Sequence, residues 1–118
     1  MSDDEQELRG SERHPIHEKA SVMVIETGAT AVCTVLDISM GGCRLQAPGE
    51  FRVRTRRRVE VAFQLCGLPM RFCGVIQWTN FEGALGIQFV DLSPRKIAAL
   101  EEVVEEIHYL KGRIVPIR

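Results

Sequence analysis

From Lys19 to Val90 the chain alternates between apolar and polar residues over short stretches, which is the pattern of β-strands with one buried face. The clearest stretch is VEVAFQL, whose apolar residues share one face: Val59, Val61, Phe63 and Leu65. Turn-forming residues separate the stretches. We predict six strands, over KASVMVIE, AVCTVLDI, CRLQA, VEVAFQL, MRFCGVIQW and ALGIQFV. The fifth places four large apolar residues on one face, with Trp78 interpreted as a core or rim residue rather than a stacking platform: Met70, Phe72, Ile76 and Trp78.

After Leu92 the apolar residues recur every three or four positions, which indicates an amphipathic helix. Ser93 is a favourable N-cap and Pro94 suits the first helical position, so we predict a helix from Pro94 to Lys111. Gly112 is the predicted stop. Six short strands followed by one helix predict a mainly β fold, a small six-stranded antiparallel β-barrel with a C-terminal α-helix.

The two ends of the chain differ in composition from the predicted barrel. Residues 1–18 are polar and charged without apolar periodicity, so we predict a flexible N-terminal arm. The length of 118 residues suits one domain, here residues 19–111, with a short tail over 112–118. No apolar run approaches the roughly 20 residues that span a bilayer. The acidic N-terminus is also unlike a signal peptide, so we expect a cytoplasmic protein without membrane contact.

The residues that carry most enzyme and metal chemistry do not form recognisable patterns in this sequence. Neither the cysteines nor the histidines have the spacing of a zinc site: Cys33, Cys43, Cys66 and Cys73; His14, His17 and His108. We expect reduced thiols, no metal and no cofactor. A nucleophile needs a base within reach, and the known catalytic motifs are absent, so we predict no catalytic residues and no enzyme activity.

The basic run RVRTRRR, from Arg52 to Arg58, has two interpretations. It is either a nucleic-acid patch or a solvated loop whose charges discourage edge-to-edge strand pairing. The run is short, contains no aromatic residue and belongs to a chain of net charge −1. These features favour the solvated loop, and a small nucleic-acid-binding barrel is kept as the lesser alternative.

Two short motifs are more informative together than apart. RGSER places Arg9 and Arg13 four residues apart, and DISMGG places Asp37, Ser39 and Gly42 where the second predicted strand ends. Alone, the first is solvated charge and the second is an Asx- or Ser-type turn. In this order they resemble the PilZ domain family, whose signature is R-x-x-x-R followed by [DN]-x-S-x-x-G. VIQW followed by GIQFVDLSP resembles the family's last strands and helix start.

The resemblance implies a bacterial receptor for the second messenger cyclic di-GMP, with Arg9, Arg13, Asp37, Ser39 and Gly42 as ligand-binding residues. Arginine matches the O6 and N7 edge of guanine and also phosphate. Asp37 suits the guanine N1–H and N2 amine, and Ser39 can donate to a phosphate or base oxygen. Gly42 lets the backbone turn or approach closely. We expect the arm to close over the ligand and signal to a partner protein in motility, secretion or exopolysaccharide control.

The resemblance leaves three further points open. Leu8 stands where many family members carry another arginine, which favours one ligand per chain. A PilZ-like protein-interaction module without nucleotide binding is an alternative function. A homodimer is also open, with Val103 and Tyr109 facing outward from the predicted helix.

Overall fold

A computed structural model describes residues 13–65 and 67–114, and the side chains as far as residue 107. In this part of the chain the strands are β1 (His14–Val24), β2 (Thr30–Ile38), β3 (Gly42–Gln46), β4 (Arg58–Leu65), β5 (Leu68–Thr79) and β6 (Ala84–Val90), followed by the helix α1 (Pro94–Ile114). They form a closed antiparallel barrel in the order β1-β2-β3-β6-β5-β4. The predicted six-stranded barrel with a C-terminal helix is therefore confirmed.

The elements begin or end differently from the prediction at both ends of the described chain. β1 begins at His14 rather than Lys19, because residues that the sequence assigns to the arm pair with the end of β2, as His14 does with Ile38. The helix continues through Gly112, since a single glycine costs a helix only about 1 kcal/mol. The remainder of the predicted arm, residues 1–12, and the last residues of the tail lie outside the described part.

Alternate residues of every strand fill the barrel interior, and the apolar stripe of α1 covers it. Leu100, Val103 and Ile107 are buried, with the spacing expected of one helix face. The expectation that Val103 faces outward is therefore wrong, because Val103 lies between Leu100 and Ile107 on the buried stripe. The side chain of Tyr109 lies outside the described part.

The start of α1 is fixed as the sequence predicts. The Ser93 side-chain oxygen accepts a hydrogen bond from the backbone N–H of Lys96 at 3.2 Å, and the Ser93 carbonyl accepts one from Ile97 at 2.9 Å. A capping hydroxyl satisfies one of the N–H groups that have no partner inside the helix. The predicted N-cap is confirmed.

Three of the four cysteines lie in the described part and are free thiols: Cys33, Cys43 and Cys73. Burial raises the pKa of Cys33 to about 11 and that of Cys43 to about 12, where the nearby charge of Asp37 adds to the effect. Both thiols therefore stay protonated at neutral pH. Cys66 lies outside the description. Across the described ranges, no cluster of side chains has the composition of a metal site, and no helix has the length and hydropathy to cross a membrane.

Candidate ligand-binding site

A β-bulge near the end of β2 turns Asp37 to the outside of the barrel. The pairing of β2 with β3 shifts between Val35 and Asp37, so that Asp37 lies opposite Arg44. Its neighbour Ile38 lies opposite Cys43, and both of these are fully buried. A bulge inserts one extra residue into a strand and re-aims the side chains that follow. This bulge places a carboxylate on the outer face beside an arginine.

A second bulge does the same for Trp78 on β5. The pairing with β6 shifts between Ile76 and Trp78, so Ile76 is buried whereas Trp78 is 39% exposed. Strict alternation would put Trp78 on the same face as Ile76, and the extra residue moves it to the other face. The indole lies over Gly86, where a Cβ atom would be 2.1 Å from the Trp78 Nε1 atom. An exposed aromatic ring therefore stands on the outer face.

Asp37 lies between two arginines. Its Oδ1 accepts a hydrogen bond from Arg13 Nη1 at 2.9 Å, and its Oδ2 accepts one from Arg44 Nε at 2.7 Å, with Arg44 Nη2 2.6 Å from the same oxygen. The Asp37 side chain is only 5% exposed, whereas both arginine side chains are 46% exposed. The hydrogen bond to Asp37 and its charge raise the pKa of Arg44. Two half-exposed cations thus share one buried anion, which leaves positive charge at the surface.

Strand pairing places these groups in one row across four strands. Asp37 pairs with Arg44 across β2 and β3, Arg44 with Gly86 across β3 and β6, and Gly86 with Trp78 across β6 and β5. Side chains opposite each other on antiparallel strands lie close enough to interact. The carboxylate, the guanidinium and the indole therefore occupy one continuous strip of the outer surface.

The Ser39–Gly42 turn borders this strip. The Ser39 backbone N–H donates to the Gly42 carbonyl at 2.8 Å, and the Ser39 hydroxyl accepts from the Gly41 N–H at 3.3 Å and donates to the Gly42 carbonyl at 3.3 Å. This is the Ser-stabilised turn that the sequence favours for the motif taken alone. Ser39 is 3% exposed, so its hydroxyl is used mainly inside the protein.

Gly42 permits a close approach, and the neighbouring group is the barrel itself. A Cβ atom at this position would lie 2.0 Å from the carbonyl oxygen of Ile87 on β6. The φ angle of Gly42 is not in the left-handed region, so backbone conformation does not demand glycine here. Glycine is needed because β3 and β6 pair tightly beneath the turn.

An open groove of about 340 Å³ follows the strip. Its lining comes from the start of the chain, the turn and the β5–β6 pair: Arg13, Ser39, Gly41, Gly42, Gln77, Trp78, Gly86, Ile87 and Gln88. The structure therefore brings three of the predicted ligand residues to one groove, with Asp37 held beside it by Arg13. Arg9 lies outside the described residues.

Sequence analysis missed two residues of this site, Arg44 and Trp78. Trp78 gave a misleading signal, since the alternation of β5 puts it on the same face as Ile76. Arg44 gave no signal of its own, because it contacts Asp37 only through the shifted register of β2 and β3. An arginine or aromatic residue in a strand that ends beside a polar motif is the pattern that would have pointed to them.

Comparison with known proteins identifies the family. The PilZ domain model matches residues 7–106. The chain belongs to the PilZ domain family. The resemblance predicted from the two motifs is confirmed, and the PilZ barrel accounts for the strand order and the helix.

Solved PilZ structures share this fold at low sequence identity. The PilZ domain of YcgR from Escherichia coli, solved with c-di-GMP, has a TM-score of 0.75 and 11% identity, and the match covers 93% of this chain and 98% of that chain. The PilZ domain of CeSA from a cellulose synthesizing bacterium has a TM-score of 0.68, 16% identity and coverage of 86% and 99%. PlzA of Borreliella burgdorferi, solved in complex with c-di-GMP, has a TM-score of 0.55, 21% identity and coverage of 76% and 37%. A search of the curated proteins gave no match.

Proposed function

We propose that this PilZ domain is a cyclic di-GMP receptor and that the ligand binds in the groove beside Arg13 and Trp78. The observation that carries the proposal is the meeting of the two sequence motifs: Arg13 and Asp37 are 24 residues apart in the chain and 2.9 Å apart at the groove. The structures of YcgR and PlzA with c-di-GMP support the same ligand class.

The groove has the chemistry that a cyclic dinucleotide requires. The ligand carries two guanines and two phosphates, so it needs cations for its charge and a flat surface for a base. Arg13 uses one nitrogen on Asp37 and keeps its other donors for a phosphate or a guanine edge. The exposed indole of Trp78 stacks on a base. Arg9, whose role stays a prediction, adds a second guanidinium from the arm.

The paired state of Asp37 suggests how the ligand enters. Both carboxylate oxygens accept hydrogen bonds from arginines and the Asp37 side chain is only 5% exposed, so a guanine N1–H and N2 amine gain access to Asp37 when one of the covering arginines moves aside. We infer that Arg13 exchanges the Asp37 Oδ1 atom for the ligand while Arg44 keeps Oδ2. The buried carboxylate then remains paired throughout, which avoids the cost of an uncompensated buried charge.

We further infer that ligand binding orders the arm and that the resulting surface is recognised by a partner protein. The output belongs to motility, secretion or exopolysaccharide control, in the cytoplasm, and the domain acts as a receptor rather than an enzyme. With Leu8 in place of a further arginine, we expect one ligand per chain.

Calorimetric titration of cyclic di-GMP into the wild type and the Arg13→Ala variant tests the function. We expect a wild-type Kd on the order of micromolar, and an increase of at least about tenfold in the variant. A variant that binds as well as the wild type would contradict the proposed site. A wild type that does not bind at high micromolar concentration would contradict the ligand and favour a protein-interaction module.

One observation supports nucleic-acid binding as a second candidate. A cavity of about 360 Å³ lies between the basic run and the β5–β6 turn, and it brings Arg52 and the half-buried Phe51 together with Phe81, which is fully exposed. The turn thus supplies the aromatic ring that the basic run lacks in sequence. Single-stranded nucleic acids bind to such combinations of cations and aromatic rings.

Fluorescence anisotropy with a labelled single-stranded oligonucleotide separates the two candidates. If the cavity binds nucleic acid, Arg52→Ala and Phe81→Ala weaken oligonucleotide binding and Arg13→Ala does not. If the proposed receptor function is correct, Arg13→Ala is the one of these three variants that weakens cyclic di-GMP binding.

A further inference from the structure

Arg44 and Arg13 hold Asp37 in different ways. Arg44 lies within β3 and brings two nitrogens within 2.7 Å of a single oxygen, Oδ2. Arg13 lies just before β1 and contacts Oδ1 through one nitrogen at 2.9 Å. Two donors on one oxygen hold that oxygen in place more firmly than a single contact does. Arg44 is therefore the fixed partner of Asp37, and Arg13 is the one that can leave.

We propose that Arg44 is a positioning residue that sets base selectivity, by holding Asp37 so that its Oδ1 atom meets the guanine edge once Arg13 has moved to the ligand. The inference rests on the proposed cyclic di-GMP function and deepens it. Arg44 belongs to neither sequence motif, and it reaches the site only through the bulge that sets Asp37 opposite it.

The selectivity follows from the donors and acceptors of the two purines. Guanine presents an N1–H and an amine, both donors, to a carboxylate, whereas adenine presents an acceptor at N1. A fixed carboxylate therefore attracts guanine and repels adenine, because its lone pairs accept from the two guanine donors but face the lone pair of adenine N1. A site built to bind an N–H group strongly rejects an analogue that lacks it. A carboxylate free to rotate away loses much of this discrimination.

Removing Arg44 also makes it harder for Arg13 to leave Asp37 and bind the ligand. Asp37 is nearly inaccessible to water, so without Arg44 its remaining charged partner among the described residues is Arg13. Arg13 then cannot leave without stranding a buried anion. Loss of Arg44 therefore lowers affinity for the guanine ligand as well as selectivity.

The test is calorimetric titration of cyclic di-GMP and cyclic di-AMP into the wild type, Arg44→Gln, Arg44→Lys and Arg71→Ala. Arg71 is the matched control, because it donates to Glu60 at 2.9 Å on the outer surface and does not line the groove. We expect the wild type to prefer cyclic di-GMP by at least about 100-fold and Arg44→Gln to lower this ratio about tenfold. Arg44→Lys keeps the charge but loses the two-nitrogen contact, so its ratio of affinities should lie between those of the wild type and Arg44→Gln. Arg71→Ala should have the wild-type ratio.

A double-mutant cycle with Asp37→Asn distinguishes positioning from direct contact. If Arg44 acts through Asp37, Arg44→Gln changes neither affinity nor selectivity in the Asp37→Asn background. An effect of similar size in that background overturns the positioning role. Melting temperatures show whether each variant is folded. If Arg44→Gln is unfolded, Arg44→Lys is compared with the wild type instead.

The remaining outcomes separate this inference from the proposed function. If the wild type binds cyclic di-GMP and both Arg44 variants keep wild-type affinity and selectivity, the inference is wrong and the receptor function stands. If the wild type binds neither dinucleotide, the receptor function is wrong and the inference falls with it.

Discussion

Arginines gather at two places on the barrel surface, the groove beside Trp78 and the arginine loop, residues 52–57. At the edge of the groove, Arg13 and Arg44 share a carboxylate that is 5% exposed. In the arginine loop all four arginines are exposed, and within the described ranges none has an acidic side chain at ion-pair distance. The next residue, Arg58, pairs with Asp91 at 2.7 Å, where both side chains are more than half exposed.

The difference shows that burial of the anion matters more than the number of cations. Exposed ion pairs and solvated arginines contribute little to stability or orientation, because water and salt screen them. A buried carboxylate must remain paired, so its partners are held in defined positions. By sequence the arginine loop is the more basic region. By structure the groove is the region with the geometry to select a ligand, and the loop offers mainly long-range attraction.

The largest expected effect comes from filling the tight contact under the groove. Gly42→Ala places a methyl group against the Ile87 carbonyl, so we expect it to lower the free energy of unfolding by about 3 kcal/mol. Gly49→Ala, beside the arginine loop, meets no atom within 4 Å and should change it by less than about 0.5 kcal/mol. Urea unfolding measures both. Equal midpoints for the two variants would show that the two regions do not differ in packing.

Cys43, whose thiol is buried behind the groove, predicts a loss of stability at high pH. The pKa of Cys43 is about 12 in the folded protein against 9.0 for an ordinary thiol, so the unfolded chain loses this proton first. The stabilisation that the protonated Cys43 thiol gives the folded protein is complete below pH 9. It is lost as the pH rises toward 12, by up to about 1.4 kcal/mol per pH unit. Between pH 8 and pH 10, the free energy of unfolding measured in urea should fall by about 1 kcal/mol less in Cys43→Ala than in the wild type. Parallel losses in the two proteins would contradict the prediction.

An effect of similar size, on ligand affinity rather than on stability, is expected from the exposed aromatic rings of the two regions. Trp78→Ala removes the proposed stacking surface and should raise the Kd for cyclic di-GMP about tenfold, since stacking of one base contributes about 1–3 kcal/mol. Phe81→Ala, next to the arginine loop, should change that Kd less than twofold. Calorimetric titration gives both values. A larger loss in Phe81→Ala would place the ligand at the loop instead.

The smallest effect is expected from the arginine loop itself. Arg54→Ala removes an exposed cation and should change the free energy of unfolding by less than about 0.5 kcal/mol and leave the Kd for cyclic di-GMP nearly unchanged. The change in Kd, if any, should disappear at high salt, where long-range attraction is screened. A salt-independent loss would indicate a direct ligand contact and would remove the contrast between the two regions.

The predictions from sequence succeeded where the signal is local. The limits of β6 match the predicted stretch ALGIQFV, and Ser93 caps the helix as expected. Each depends on residues that are neighbours in the chain, so periodicity and side-chain chemistry suffice. The PilZ motifs are also local, and the family that they indicate is confirmed.

The predictions failed where one extra residue changes the face of a strand. The bulge before Trp78 leaves the apolar pattern of β5 almost unchanged, so alternation put Trp78 on the same face as Ile76. The bulge before Asp37 sets it opposite Arg44, a pairing that depends on the register between two strands. Val103 was misassigned for a different reason, because more than one face of the helix carries apolar residues and only packing selects the buried one.

The sequence by itself determined the barrel, the helix, the family and the residues of its two motifs, because these follow from local periodicity and short spacing. Only the tertiary structure decided that Asp37 is held by two arginines, that Gly42 is required by Ile87, and that Trp78 faces the groove. Those features depend on the hydrogen-bonded register between strands, which local periodicity does not specify, and a register shift of one residue moves a side chain from the core to the surface.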